Sequence, residues 1–462
     1  MISVPSLRLQ LSGNKYILFA LLILFSFGCT GSKKAKDSTR KKITKIRTNP
    51  NTKTDKEKTP KVDVKKDKQD WAEEKVEDDG DVEEVEGNDT DQSIALEKKS
   101  VYNVSMFIPF NAKSSSSAIS NVSEKFLNYY CGVRMALSKL EQEGVELNVR
   151  VFDAKDDFER KLNDPFNKSA DVIIGPYDTN LLKELASFGK EHEIPIISPW
   201  KASKRIASDN PYYVQLRPNP GAHFKKIVDH VNDNFSPDQV FLLKRDIDKD
   251  RNLTKYIQRY QSAEHNGMSF NEYEIIEDSL QFGETAYDSL FLVNRPTVFI
   301  VPNYSSKDES YIYNAVRRIS TERGYNEVYV YGMPILLNSS KFTYDYYKNL
   351  NLRICSSKLV PYGSEITRSF DRDFYNRFGN LPQADAYEGY DVMMFIGANL
   401  WNEGVNFHKR ILDEEQQLIQ TIYNLSAIYK EEEDEGKVEK ANYIQNMHLD
   451  IIQYYNNKFR RL

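Results

Sequence analysis

Ala170-Asp171-Val172-Ile173-Ile174-Gly175-Pro176-Tyr177-Asp178-Thr179-Asn180, followed by Glu193-Ile194-Pro195-Ile196-Ile197-Ser198-Pro199-Trp200, decides the fold. Asp171 to Ile174 is a short apolar run of β-branched residues, the pattern of a strand covered on both faces. Gly175-Pro176 stops it, and Asp178 or Thr179 can cap a helix carrying Leu181, Leu182, Leu185, Ala186 and Phe188. Ile194 to Ile197 repeats the strand and Ser198-Pro199 repeats the stop. Such a βαβ unit predicts two parallel neighbouring strands joined by a right-handed crossover. Ligands of such sheets bind at the carboxyl ends of the strands, where both turns lie.

Working outward, Val104 to Phe110 reads as the first strand, followed by a polar loop with Ser114 to Ser117. Phe126, Tyr130, Val133, Leu137 and Leu140 then recur at alternating intervals of four and three, one face of a helix. Gly144 closes that helix and Val145 to Phe152 forms the next strand. After Pro199 a new βα series begins, with a helix near Ala222 to Asn232, a strand at Gln239 to Leu243 and a helix from about Leu253. Strands follow at Tyr273 to Ile276, Pro296 to Val301 and Val328 to Tyr331, with a helix at Tyr311 to Glu322. Leu352 to Leu359 reads as a strand, Leu412 to Glu432 as a helix with Leu418, Ile422 and Leu425 on one face, and Met447 to Tyr454 as a closing strand.

Four segments together resemble the type I periplasmic-binding proteins, the group typified by the leucine/isoleucine/valine-binding protein. They are the two turns above, the run from Phe126 through Tyr129-Tyr130 to Asp153-Ala154-Lys155, Tyr212-Tyr213-Val214-Gln215-Leu216-Arg217-Pro218, and Ser369 to Leu400. The resemblance covers about residues 101–462 and is weakest at 245–295 and 405–445. It implies an α/β fold of two doubly wound parallel-sheet lobes with a ligand held between them, and 212–218 crossing to the second lobe. The boundaries that follow are lobe one at 101–217 and 335–435, and lobe two at 218–334 and 436–462.

The resemblance also places candidate ligand contacts. Tyr177, Asp178 and Thr179 follow the first turn, and Thr179 occupies the position where amino-acid-binding relatives place a ligand-contacting serine. At the second turn those relatives have small residues and a threonine, whereas Trp200, Lys201 and Ala202 stand here. Trp200 would fill the space of a small zwitterion, stack on a flat or sugar-like ligand, or pack between the lobes. Lys201 could anchor a carboxylate or phosphate, or lie solvated. Asn303 and Met333, at strand ends of the second lobe, should line the opposite wall, and Asp246 or Asp248 could meet an ammonium group. Asp246-x-Asp248-x-Asp250-x-Asn252 superficially resembles a calcium loop, but Arg251 at its sixth position and Ile257 at its twelfth exclude an EF-hand.

The N-terminus and composition narrow the compartment and chemistry. Arg8 and Lys15 precede an apolar core from Tyr16 to Phe27, too short to span a membrane comfortably. Residues 1–28 read as a signal peptide, and Ser26-Phe27-Gly28-Cys29 resembles a lipoprotein cleavage box with Ser26 in place of the usual leucine. The expectation is a lipid-anchored Cys29 on the periplasmic face of a membrane; a plain secretory signal is the alternative. Residues 33–68 are rich in lysine and 71–92 in Glu and Asp, so 29–100 reads as a disordered charged tether. The two blocks nearly cancel within a net charge of −5, and export argues against nucleic acid. Cys131 and Cys355 are expected as free thiols, and no Cys-x-x-Cys occurs. His223 and His230 are seven apart, there is no His-Glu-x-x-His, no Gly-x-Ser-x-Gly and no phosphate-binding loop motif. Neither an enzyme nor a cofactor or metal is expected.

Two functions follow. The first is an anchored extracytoplasmic protein that closes its lobes on a small polar solute, an amino acid or peptide-like compound among the candidates, and presents it to a permease or another envelope partner. The second is an envelope lipoprotein that keeps the fold, has lost its small ligand and regulates cell-wall synthesis through a protein partner.

Overall fold

The computed structural model describes residues 84–86, 96–112, 120–203, 205–206, 208–265, 267–275, 285–430 and 441–462. Of the two units into which the chain divides, 1–64 and 65–462, only the second contains described residues. The leader at 1–28, Cys29, the lysine-rich block and the loop at Ser114 to Ser117 lie outside them.

Two sheets organise the described residues. The first contains β1 (Glu84–Glu86), β2 (Tyr102–Ile108), β3 (Leu147–Asp153), β4 (Val172–Ile174), β5 (Ile196–Ser198), β6 (Tyr213–Gln215), β12 (Glu415–Gln417), β13 (Ile422–Lys430) and β14 (Tyr443–Asn446). Its order is β1-β13-β14-β6-β5-β4-β2-β3, with β12 paired to β13. The second contains β7 (Val240–Lys244), β8 (Asn271–Glu274), β9 (Thr297–Val301), β10 (Val328–Gly332), β11 (Arg353–Ser356), β15 (Asp450–Tyr455) and β16 (Lys458–Arg461), in the order β16-β15-β11-β10-β9-β7-β8. β2 pairs in parallel with β3 on one side and β4 on the other, and β7 in the same way with β8 and β9. The winding therefore reverses direction between β2 and β4, and again between β7 and β9.

The unit read from 170–200 forms as expected. Ile173 and Ile174 of β4 pair in parallel with Ile196 and Ile197 of β5. Between them runs helix α2 (Thr179–His192), following α1 (Asn121–Gln142) in the chain. Asp178, rather than Thr179, is the cap: its Oδ1 accepts from the N–H groups of Asn180 at 2.8 Å and Leu181 at 3.1 Å. Strand alternation feeds two cores. Val104, Met106, Val172 and Ile174 face Phe126, Val133, Val392 and Ile396. Phe107, Ile173 and Ile196 face Leu182, Leu185 and Phe188. This double burial is why the strands read as unbroken apolar runs.

The remaining long helices are α3 (Pro220–Asn234), α4 (Asp248–Glu264), α5 (Glu309–Glu322), α6 (Glu365–Phe378) and α7 (Ala384–Glu403). Helices α1 and α7 cross at backbone contact through two glycines. A Cβ on Gly132 would lie 1.8 Å from the Ala386 carbonyl oxygen, and one on Gly389 would lie 2.0 Å from that of Tyr129. Among the described residues no helix is long and apolar enough to cross a membrane.

Four local readings change. The described part of Leu412 to Glu432 is not a helix: Ile422–Lys430 is a strand, buried without a break from Leu425 to Tyr429. Leu418, Ile422 and Leu425 keep the four-and-three spacing of a helical face, but Ile422 and Leu425, three positions apart, fall on opposite faces of the strand. The strand at Arg353–Ser356 pairs in parallel with β10 and antiparallel with β15, so it belongs to the second sheet rather than to the return into lobe one. Tyr443–Asn446 lies in the first sheet, between β6 and β13, although 436–462 was expected in lobe two. Helix α4 also begins five residues before the expected Leu253, at Asp248. Cys131 is half-buried and Cys355 buried, both as free thiols.

Candidate functional site

Each switch of winding leaves a crevice at the carboxyl ends of the strands, where open α/β sheets hold ligands. In the first sheet that crevice is filled by Trp200, which is 4 % exposed. Its ring meets Phe126 and Tyr129 edge-on at 5.1 and 5.0 Å between centroids, and Tyr177 at 6.3 Å. Gly175, with φ +91°, lets the backbone pass between the Phe107 carbonyl and the Trp200 ring. Tyr177 also lies under two ammonium groups, Lys201 at 4.4 Å and Lys125 at 5.5 Å from the ring centroid. Trp200 thus packs inside lobe one, and Lys201 is buried beside it. Asp178 is exposed and occupied as a cap, and Thr179 is half-buried as the first helical residue.

The crevice of the second sheet is filled by charge. Arg245 donates from Nε to Asp250 Oδ2 at 2.8 Å, and from Nη2 to Asp250 Oδ1 at 2.9 Å and Asp308 Oδ1 at 2.8 Å. Lys249 Nζ donates to Asp308 Oδ2 at 2.6 Å, and Asn303 Nδ2 to Asp250 Oδ1 at 2.9 Å. Burial would lower the guanidinium pKa and raise that of Asp308; the charged partners win at both, holding Arg245 above and Asp308 below their ordinary values. Asn303 therefore serves this network. Met333 is fully buried in the lobe-two core. Asp246 is exposed at the edge, where it meets Arg251 together with Asp248.

Open space lies elsewhere. A cavity of about 490 Å³ is walled by Arg217, Lys358, Asp385 and Glu388 on one side and by Tyr344, Tyr454 and Phe459 of lobe two on the other. Arg217 follows β6 where the chain first crosses between sheets, and Lys358 follows β11 where it crosses back. Both cations converge on Glu388 of α7: Lys358 Nζ lies 2.5 Å and Arg217 Nη2 3.4 Å from Oε1. Arg217 Nε also donates to the Pro199 carbonyl at 3.1 Å. The Lys358 side chain is 22 % exposed, through its stem, while its ammonium is out of contact with solvent.

This burial sets the electrostatics. Burial pushes the Glu388 carboxyl upward, but Lys358, Arg217 and Lys125 outweigh it and hold the group down to about 2. At Lys358 burial wins, reinforced by Arg217 and opposed by Glu388, and the ammonium is lowered to about 8. Asp385, 3.8 Å from Lys125, is raised chiefly by burial. One turn along α7, Asp391 accepts from the backbone N–H groups of Ile419, Gln420 and Thr421 at 3.0, 2.9 and 3.0 Å, which fixes Gln420 at the cavity. Burial still pushes that carboxyl up to about 7 against its three donors.

None of the sequence-derived contacts lines this cavity. Apart from Asp385 and Glu388, which share α7, its charged residues stand far apart in the chain, with no motif to join them. One signal was available: Glu388 and Asp391 lie in Tyr387-Glu388-Gly389-Tyr390-Asp391-Val392-Met393-Met394-Phe395, an otherwise apolar helical run. Buried carboxylates demand partners. Among the described residues no group of three or more His, Cys, Asp and Glu side chains is placed to hold a metal ion.

A model of the receptor family ligand binding region matches residues 129–426. No curated protein sequence matches the chain significantly. Among solved structures, one described as a putative branched-chain amino acid ABC transporter from Rhodospirillum rubrum is similar at TM-score 0.54 and 11 % identity, over 78 % of this chain and 100 % of that one. Full-length LpoA from Haemophilus influenzae is similar at TM-score 0.51 and 9 % identity, over 79 % of this chain and 60 % of that one. At these identities the likeness is one of fold.

Proposed function

Because the chain belongs to the family of receptor ligand binding regions, we propose that it is an extracytoplasmic solute-binding or sensing protein, anchored by a lipid on Cys29, whose two lobes close on a small polar ligand. One observation carries this reading: the cavity beside the crossing segments takes its walls from both lobes. A ligand held there touches both, so it favours whichever relative arrangement gives it more contacts. The recipient would be an envelope partner, a permease of an ABC transporter being the first candidate given the description of the Rhodospirillum rubrum relative.

The test is a thermal-denaturation screen of the purified chain against amino acids, short peptides, sugars and organic acids. A ligand that binds only the folded state raises the midpoint as its concentration rises. The reading predicts a saturable rise with one chemical class, accompanied by contraction of the particle in small-angle scattering. A flat response to every class would sink it.

The buried Trp200 favours a second reading, in which the first-sheet crevice is closed to small molecules and the molecule acts by contact with an envelope protein. Under it the screen stays silent, and envelope proteins crosslink to residues of the lobe surfaces in intact cells.

A further inference from the structure

We infer that the cavity at the crossing segments takes a small organic anion bearing a ring, with its carboxylate or phosphate oxygens received by Lys358. The inference rests on the solute-binding reading and names the chemistry of that ligand. Both sheet crevices are already filled, one by Trp200 and the other by Arg245 with its two carboxylates. The cavity at the crossings keeps both volume and unspent polar chemistry.

The unspent chemistry is that of the Lys358 ammonium, which shares the Glu388 carboxylate with Arg217. An ammonium carries three donors, and among the described residues Glu388 is the only partner of Lys358 Nζ, which is nevertheless shielded from water. A shielded ammonium with donors to spare calls for acceptor oxygens, and an anion supplies them with charge assistance. The second carboxylate, Asp385, is engaged with Lys125, and Lys458 adds a further cation to the lining. A cationic ligand would have to displace these groups; an anionic one completes them.

The ring follows from the walls. On the lobe-one side stands Tyr362, exposed and edge-on to Tyr387 at 6.2 Å. On the lobe-two side Tyr344 and Tyr454 are stacked at 5.0 Å with an interplanar angle of 20°. Aromatic faces on both walls suit a flat or sugar ring, and side-chain amides of Asn338, Gln420 and Asn457 around them suit hydroxyl groups. Because Lys358 and Arg217 sit on separate crossing segments held together by Glu388, an anion drawn to Lys358 would also reset the tie between those segments.

The experiment is isothermal titration calorimetry on the full chain with matched acid and uncharged probes: D-galacturonate against D-galactose, and 4-hydroxybenzoate against 4-hydroxybenzamide. The acid of at least one pair should bind at least about tenfold more tightly than its uncharged mate, as a charge-assisted contact requires. Lys358→Met should erase that preference, with circular dichroism confirming the fold, and Tyr362→Ala should weaken both members of the pair. If Lys358→Met fails to fold, the wild-type pH profile decides: acid affinity should fall as Lys358, which faces Arg217, Lys125, Glu388 and Asp385, loses its proton near pH 8. An uncharged probe that binds as tightly as its acid overturns the inference and leaves the solute-binding reading standing. Neutral amino acids or peptides binding where both acids fail likewise overturn it and spare that reading. Silence of these probes and of the wider screen overturns both.

Discussion

The guanidinium of Arg245 grips the Asp250 carboxylate through two hydrogen bonds, Nε to Oδ2 at 2.8 Å and Nη2 to Oδ1 at 2.9 Å. Asp250 is wholly buried, and its Oδ1 also accepts from Asn303. Removing that carboxylate leaves a guanidinium in low-dielectric surroundings with half its counter-charge. Asp250→Ala should therefore cost about 3 to 5 kcal/mol in urea-induced unfolding. Asp246→Ala, four residues earlier and 70 % exposed on its side chain, should change stability by no more than about 0.5 kcal/mol. Equal effects would mean that the crevice charges are not the internal network their geometry describes.

A second comparison separates crowding from backbone conformation. Gly389→Ala places a methyl group 2.0 Å from the Tyr129 carbonyl oxygen, so α1 and α7 must move apart. A loss of at least about 2 kcal/mol is expected for such overpacking. Gly379→Ala meets no atom within 4 Å and suffers only from its φ of +78°. It should cost about 1 kcal/mol, by denaturant titration of both variants in parallel.

Acid should loosen the fold through its buried imidazoles. His223, with Nδ1 3.2 Å from the Cys355 carbonyl, is lowered by burial to about 4; His408 is lowered to about 3 by burial and by Lys409. Below an unfolded value of about 6.5 the unfolded chain takes up protons that the folded chain refuses, so stability falls with pH until the folded groups titrate. For His408 the loss begins near 6.5 and ends near 3. Asp391 acts in the opposite sense, since its folded value is raised from 3.8 to about 7. His408→Phe should therefore flatten the acid side of the profile by up to about 1.4 kcal/mol per pH unit, read from urea midpoints at about pH 7 and about pH 5. An unchanged slope would show that His408 is protonated within the fold.

Trp200 offers a fourth check. Trp200→Ala should cost about 3 to 5 kcal/mol, as truncation of a buried aromatic does, and should leave acid binding at the crossing cavity within about threefold of wild type. Thr179→Ala, at the first position of α2, should cost less than about 0.5 kcal/mol. A ligand whose affinity follows Trp200 rather than Lys358 would place recognition in the first-sheet crevice instead.

Much of the framework was legible because doubly buried strands leave an unmistakable trace. Val172–Ile174 and Ile196–Ser198 are apolar runs punctuated by glycine and proline, and Asp178 supplies a hydrogen-bonding cap between them. Ile422–Lys430 was misread because Leu418, Ile422 and Leu425 keep a helical spacing while Tyr423, Leu425, Ala427 and Tyr429 keep a strand's, and the pairing with neighbouring strands chooses between them. Arg353–Ser356 shows a different limit: a strand's sheet is a property of its neighbours, and its own residues do not carry that address. Site residues suffered most. Trp200 stood out as an anomaly, yet whether an aromatic side chain faces ligand or core depends on Phe126 and Tyr129, more than seventy positions away. Arg217, Lys358 and Glu388 meet only after the chain has crossed between sheets twice.

The position of β14 bears on the order in which the molecule can be made. Tyr443–Asn446 enters the first sheet between β6, to which it is parallel, and β13, to which it is antiparallel. Until those residues arrive, β6 keeps an open hydrogen-bonding edge and β13, paired with β1 and β12, has no bridge to β6, even though every other strand of that layer has already been synthesised. Long-range pairings of this kind form slowly. A chain growing from its N-terminus thus keeps its first sheet incompletely assembled until Tyr443–Asn446 emerges.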